Sequence, residues 1–298
     1  MKIKAAGKAH TQRYPKTESL LSQTQKMLRR FDLRAKKGLG QHFLIDEEVL
    51  ALIISTAQLT PDDIVMEVGP GLGVLTKELA KHAGRAIAIE LDDRLAAILS
   101  ESLSAFKNVT IINEDVLKVA PETLLSEFKT TSYKVVANLP YYITSPVLRH
   151  FLEAQIKPQS MVVMVQKEVA EEITAKPGKM SLLSIGVQLY GEPEIVAQVP
   201  AESFYPAPAV DSALLRVTPY SKPSVEIADR EGFFALVRAG FSSARKQLAN
   251  SLAQGMGVSK AEALALLAKT EIAPQRRAET LTLEEWARLW RIYNGMGE

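Results

Sequence analysis

Five short runs, at 64–68, 86–89, 109–112, 134–137 and 161–165, are apolar almost without interruption. A strand with one wet face alternates apolar and polar residues, whereas a run apolar throughout is a strand buried on both faces. Between these runs the apolar positions change to helical spacing, at 76–82, 94–103, 121–128 and 145–152. Strands and helices in strict alternation predict an α/β fold with a doubly wound parallel sheet. Two later runs, 183–189 and 213–217, flank Phe204-Tyr205-Pro206-Ala207-Pro208 and are expected to form an antiparallel hairpin at one edge. Upstream, Leu20, Leu21, Met27, Leu28 and Phe31 predict a short amphipathic helix over 18–31. Asp46 is expected to cap a helix through Val49, Leu50, Ile53 and Ile54.

Past Thr218-Pro219-Tyr220-Ser221-Lys222-Pro223 the strand pattern stops. Helical spacing alone continues, around 233–241, 247–253, 259–268 and 283–293, with Ser259 suited to cap the third of these. The expected organisation is a disordered basic extension over 1–16, an α/β domain over 17–218 and a small all-helical domain over 219–298.

Composition narrows the chemistry. The 298 residues include no cysteine, so disulfides, thiolate nucleophiles and Cys-ligated metals are excluded. The four histidines, His10, His42, His82 and His150, show no ligand spacing, and no metal is expected. No apolar run reaches the roughly 18 residues of a membrane span, and the N-terminus lacks the features of a secretory signal. A soluble, cytoplasmic protein is expected. The net charge of +2 conceals an asymmetry: residues 1–43 carry eleven Lys or Arg against two acids, which leaves the remainder at −7. A basic arm on a near-neutral body is common in polyanion binders, although a solvated tail has the same composition.

The first candidate site follows the first strand. Glu67-Val68 leads into Gly69-Pro70-Gly71-Leu72-Gly73 and then a helix, a turn that brings main-chain N–H groups close to a ligand. Glu90 ends the second strand, where a carboxylate can accept both ribose hydroxyls. Asp115 follows the third, within reach of an adenine. A dinucleotide fingerprint needs Gly or Ala three residues after its second glycine. The two possible frames put Val74 or Thr76 there, so a nicotinamide dehydrogenase is disfavoured. Acidic Glu67 with closely spaced Gly69, Gly71 and Gly73 resembles the first motif of S-adenosylmethionine-dependent methyltransferases.

The second candidate is Asn138-Leu139-Pro140-Tyr141, at the end of the fourth strand. Proline cannot extend a ladder and holds the residue before it extended. The Asn138 side-chain oxygen and the Leu139 carbonyl are thus free to accept from an amino group, with the Tyr141 ring as a stacking face. That is the equipment for a planar, amino-bearing base. The bland alternative is an Asn–Leu–Pro turn with a buried tyrosine.

Taken in order, Gly40-Gln41-His42-Phe43-Leu44, Glu67-Val68-Gly69-Pro70-Gly71, Glu90-Leu91-Asp92, Asp115, Asn138-Leu139-Pro140-Tyr141 and Phe204-Tyr205-Pro206-Ala207-Pro208-Ala209-Val210-Asp211-Ser212 resemble the ribosomal RNA adenine dimethylase family. Leu139, Val210-Asp211-Ser212 and the 241–252 segment are similar to its bacterial small-subunit branch. The resemblance implies a Rossmann-like methyltransferase sheet and transfer of methyl groups from S-adenosylmethionine. The acceptors would be two adjacent adenosines in the loop of the 3′-terminal hairpin of 16S rRNA, in the small subunit or its precursor. It implies cofactor contacts from His42, Leu44, Gly69, Gly71, Glu90, Asp115 and Asn138, and catalysis by Asn138, Leu139, Pro140 and Tyr141. His42 departs from the Asn of many members, and its backbone is expected to matter as much as its ring. Tyr141 is expected to stack on the target base, with Phe204 on the other side unless it is a core aromatic. Arg245, Lys246, Arg276 and Arg277, with Arg34, Lys36 and Lys37, are candidates to grip rRNA phosphates. A monomer is expected. The competing readings are the large-subunit relative of the macrolide-resistance type and a non-catalytic small-subunit assembly factor.

Overall fold

The computed structural model describes residues 18–33, 41–128, 130–243 and 245–295. The extension 1–16 and the basic residues Arg34, Lys36 and Lys37 lie outside them. Elements follow in the order α1 (Leu20–Arg30), β1 (Phe43–Leu44), α2 (Glu47–Ala57), β2 (Ile64–Val68), α3 (Val74–His82), β3 (Arg85–Glu90), α4 (Asp93–Ser102) and β4 (Val109–Asn113). Next come α5 (Pro121–Ser126), β5 (Lys134–Asn138), α6 (Thr144–Leu152), β6 (Met161–Gln166), α7 (Lys167–Ile173), α8 (Leu182–Gln188), β7 (Gly191–Val199), β8 (Phe204–Tyr205) and β9 (Ser212–Pro219). Four helices complete the chain: α9 (Arg230–Phe241), α10 (Leu248–Met256), α11 (Lys260–Lys269) and α12 (Leu283–Tyr293).

The main sheet has seven strands in the order β4-β3-β2-β5-β6-β9-β7. The first five are mutually parallel, and β9 runs antiparallel to both β6 and β7. Alternate residues feed opposite faces. Val65, Val136 and Val162 pack with Ile53 of α2 and Leu79 of α3. Met66, Val135 and Val163 pack with Val147 and Phe151 of α6, and this apolar mass continues without a break to Trp286 of α12. Two buried faces are why those strands carry no polar alternation. Among the described residues no strand follows β9.

The edge hairpin exists, but one of its strands is not the expected one. Residues 183–189 lie almost wholly in α8, whose first turn is closed by a reciprocal capping box between Ser181 and Ser184. The partner of β9 is β7, an edge strand that carries Pro193 and a register shift between Ile195 and Ala197. Proline is tolerated there because an outer edge needs no ladder donor.

Chain order reverses at β2. From β2 the chain steps outward through β3 to β4, then returns to lay β5 on the other side of β2. The crevice beyond the carboxyl ends of β2 and β5 is where such sheets bind ligands. A two-stranded ribbon, Phe43 opposite Tyr205 and Leu44 opposite Phe204, contributes to this end.

Candidate active site

The turn after β2 is held by backbone geometry that favours glycine. Gly69, Gly71 and Gly73 have φ of 65°, 58° and 76°, in the left-handed region that costs other L-residues dearly. Side chains would also crowd their neighbours. A Cβ on Gly69 would come to 3.3 Å from the Pro140 ring, and one on Gly71 to 3.2 Å from the Phe43 ring. The turn is therefore wedged between the β1 ribbon and the tip of β5.

Glu90, at the end of β3, is buried and faces this turn. One carboxylate oxygen accepts from the Gly71 N–H at 3.2 Å and the other from the Asp92 N–H at 2.9 Å. Burial raises its pKa against these bonds. An ionised carboxylate has about four acceptor sites, so these backbone bonds leave acceptor capacity for a ligand hydroxyl. Asp115 caps a single 3₁₀ turn (Val116–Lys118) through its Oδ1, 3.0 Å from the Leu117 N–H. Glu67 lies beneath the turn, 2% exposed, and its Oε2 has no partner in the protein. Burial, with the nearby Glu90 charge adding to it, pushes the Glu67 carboxyl up to about 8.

At the tip of β5, the Asn138 Nδ2 donates to the His42 carbonyl at 3.1 Å. A carbonyl only accepts, so this bond fixes which end of the amide carries NH₂ and leaves Oδ1 to receive a donor. The Leu139 N–H donates to the Met164 carbonyl of β6 at 3.1 Å, and the parallel ladder ends there. Tyr141 makes a 2.8 Å hydroxyl–hydroxyl bond with Ser212. Its ring is stacked on His42 at 5.8 Å between centroids and 23° between planes. The His42 Nδ1–H donates to the Pro206 carbonyl at 2.7 Å.

One cleft unites these parts. All the residues expected to hold the cofactor, from His42 and Leu44 through Gly69, Gly71 and Glu90 to Asp115, line it together with Asn138, Leu139, Pro140 and Tyr141. The site fits an adenosyl sulfonium amino acid: a glycine cradle in which a Cβ would crowd Pro140 and Phe43, free acceptor capacity at Glu90, and a buried Oε2 of Glu67 without a partner. Among the described residues no cluster of acidic or histidine side chains is arranged to hold a metal ion, and no helix is long and apolar enough to cross a membrane.

Two expectations need correction. Phe204 does not line the cleft; it is 2% exposed and packs with Leu44 and Val199 in the core beneath the β1–β8 ribbon. Its pairing opposite Leu44 turns it inward, which a count of aromatics cannot foresee. Arg276 is not a free cation either. Its guanidinium is shared among Glu285, the Thr280 carbonyl at 2.6 Å and the Thr280 hydroxyl at 3.1 Å, and so ties the 276–280 segment to α12. Arg277 sits 3.7 Å from Glu279 in an exposed pair, and Lys246 Nζ reaches Gln254 at 3.3 Å. Arg245 and Lys246, both exposed, lie between α9 and α10 and are not part of the cleft. The sequence reading missed Ser212 as Tyr141's partner and overlooked Tyr142, which is half-exposed at the cleft rim. Leu91 and Leu117, exposed apolar residues beside Glu90 and Asp115, were a readable signal for that rim.

Against this geometry the comparisons are decisive. A family model described as ribosomal RNA adenine dimethylase matches residues 32–294. The chain belongs to the ribosomal RNA adenine dimethylase family. Its relatives include a protein of Dehalococcoides mccartyi named ribosomal RNA small subunit methyltransferase A. It is 53% identical over 277 residues, covering 93% of this chain and 94% of its own. A protein of the same name from Enterococcus faecalis is 43% identical over 90% of this chain and 93% of its own. Among solved structures, a dimethyladenosine transferase from Plasmodium falciparum matches with a TM-score of 0.71 and 26% identity, over 86% of this chain and 98% of its own. The 23S rRNA methyltransferase ErmE matches at 0.64 and 31%, over 84% and 98%.

Proposed function

We propose that this dimethylase transfers methyl groups from S-adenosylmethionine to the 6-amino groups of two adjacent adenosines in the 3′-terminal hairpin loop of 16S rRNA. Two methyl groups go to each, during small-subunit biogenesis. The observation that carries the reading is the single cleft shared by the glycine turn and the Asn138–Tyr141 tip. Small-subunit rather than large-subunit rRNA is favoured because relatives at 53% and 43% identity bear the small-subunit name, whereas ErmE stands at 31%.

Bound S-adenosylmethionine supplies a methyl group carried on a positively charged sulfur. Glu90 would accept from the ribose hydroxyls and Asp115 from the adenine amino group, Gly69 and Gly71 would line the methionine end, and His42 and Leu44 would close the near side. The amino nitrogen of the target adenine is a poor nucleophile, because its lone pair is delocalised into the ring. In the first transfer Asn138 Oδ1 and the Leu139 carbonyl would accept its two hydrogens and so orient the lone pair; in the second, the one remaining N–H would keep one of these bonds. The same two oxygens stabilise the positive charge that develops on nitrogen, a positioning and electrostatic effect with no general base. Transfer would leave the sulfur as a neutral thioether, and the acidified N–H would give its proton to water. Tyr141 receives the extruded base on its ring, a stack worth about 1–3 kcal/mol against the few kcal/mol needed for extrusion.

Residues 17–218 carry the transfer in this reading, and 219–298 form a helical rRNA-binding domain in which Arg245 and Lys246 contact phosphates. The protein acts as a monomer without a metal, in the cytoplasm where small subunits are built. The decisive test is transfer of labelled methyl groups to small subunits that lack the modification, followed by mapping of the labelled nucleotides. Label at two neighbouring adenosines of the 3′ hairpin supports the proposal. Label in 23S rRNA points to the resistance-type reaction. Particle binding without label leaves only an assembly factor.

A further inference from the structure

Ser212 opens β9 and is paired on both sides, opposite Gln166 of β6 and opposite Val199 of β7. It is fully buried. Its hydroxyl is therefore a fixed point set into the sheet, and it lies 2.8 Å from the Tyr141 hydroxyl. Tyr141 itself has no such support from its own segment. It begins a one-turn 3₁₀ helix (Tyr141–Ile143) directly after Pro140, at the mouth of the cleft. Burial raises the phenol's pKa, so the group that meets Ser212 is the neutral O–H. On one side of the ring stands His42, nearly parallel and itself tied to the Pro206 carbonyl. The tyrosine ring is thus pinned at its far end and bounded on one face.

We propose that Ser212 is a positioning residue for the target base: by holding the Tyr141 hydroxyl it sets the plane of the ring, and the adenine stacks on the face turned away from His42. The proposal rests on the stacking role given to Tyr141 above. Its physical basis is that two demands must be met together. The base lies parallel to the Tyr141 ring while its amino nitrogen stays in register with Asn138 Oδ1 and the Leu139 carbonyl. A ring free to tilt satisfies the first demand and loses the second, and small displacements from attack geometry are costly in rate.

The test uses the full-length protein, with unmodified small subunits as substrate. Ser212→Ala, Tyr141→Phe and the double variant are compared in kcat/KM for the particle, cofactor Kd and Tm. Ser212→Ala is expected to lower kcat/KM about 3- to 10-fold, the effect of one hydrogen bond, with cofactor affinity unchanged. Tyr141→Phe should match it, and the double variant should be no worse than either, because all three lose the same bond. Ser212→Cys fills the site with a slightly larger side chain and a much weaker donor, so a matching loss at unchanged Tm separates the bond from packing should the alanine variant fold poorly. Unaltered kinetics in Ser212→Ala, or losses that multiply in the double variant, overturn the proposal. Tyr141→Ala is the control on the underlying reading. Full activity in that variant rejects the stacking role, and the Ser212 proposal with it, whereas a large loss there beside normal Ser212→Ala kinetics rejects Ser212 alone.

Discussion

Asn138 donates its NH₂ to the His42 carbonyl, so its carbonyl oxygen is the part of the amide left for the target amine. Asn138→Ala removes one of the two acceptors, together with the bond to the His42 carbonyl. It is expected to lower the single-turnover methyl-transfer rate about 10²–10³-fold, as loss of a preorganised transition-state partner does, while most cofactor affinity persists in a direct binding assay. Near-normal turnover would remove the catalytic assignment. Glu67 gives a second prediction, in stability. Its ordinary pKa of 4.5 rises to about 8 in the folded chain, chiefly through burial. Between those values the unfolded chain is ionised and the folded one retains the proton, so stability falls as pH rises through that window. In the cofactor-free protein, Glu67→Gln should flatten the fall in Tm between about pH 5 and pH 8; a fall as steep as that of the parent chain contradicts the assignment. Both residues were legible by position, one at a strand tip and one ahead of a glycine turn. Their partners were not: nothing in the spacing of residues 138 and 42, or 141 and 212, says that they touch.

The glycine turn is an element whose geometry can be tested directly. Gly71→Ala forces a left-handed φ of 58° on a residue with a Cβ and drives that carbon to 3.2 Å from the Phe43 ring. The backbone term alone is about 1–2 kcal/mol. A lower Tm and a weaker cofactor Kd are expected together, measured by thermal unfolding and titration calorimetry. An unchanged Tm would contradict the strain assigned to this turn. At this scale the parallel strands were easily read, because burial on both faces leaves an uninterrupted apolar run. The 183–189 run was misread for the same reason: a short apolar stretch fits a buried strand and a buried helix equally. The Ser181–Ser184 capping box decides for the helix. Conversely, β7 went unnoticed because Glu192, Pro193 and Glu194 hide an edge strand that only its partner β9 makes visible.

For the whole molecule, the reading of a polyanion substrate predicts a steep salt dependence. Each phosphate contact contributes about −0.7 to −0.9 to the slope of log affinity against log salt. Binding to unmodified small subunits should therefore weaken at least about tenfold between 50 and 200 mM salt, and Arg276→Ala should affect Tm more than that slope because its charge is spent on Glu285 and Thr280. Binding that stays flat over this range contradicts phosphate recognition. By itself the sequence determined the alternation of strands and helices, the glycine turn, the carboxylates at successive strand ends and the Asn138–Tyr141 tip, since each is written in neighbouring residues. Only the tertiary structure decided which of these share a cleft, that Phe204 and Arg276 are spent on packing and pairing, and that Ser212 and His42 frame Tyr141. Those outcomes depend on strand order and register, which bring together residues far apart in the chain and leave no local mark on it.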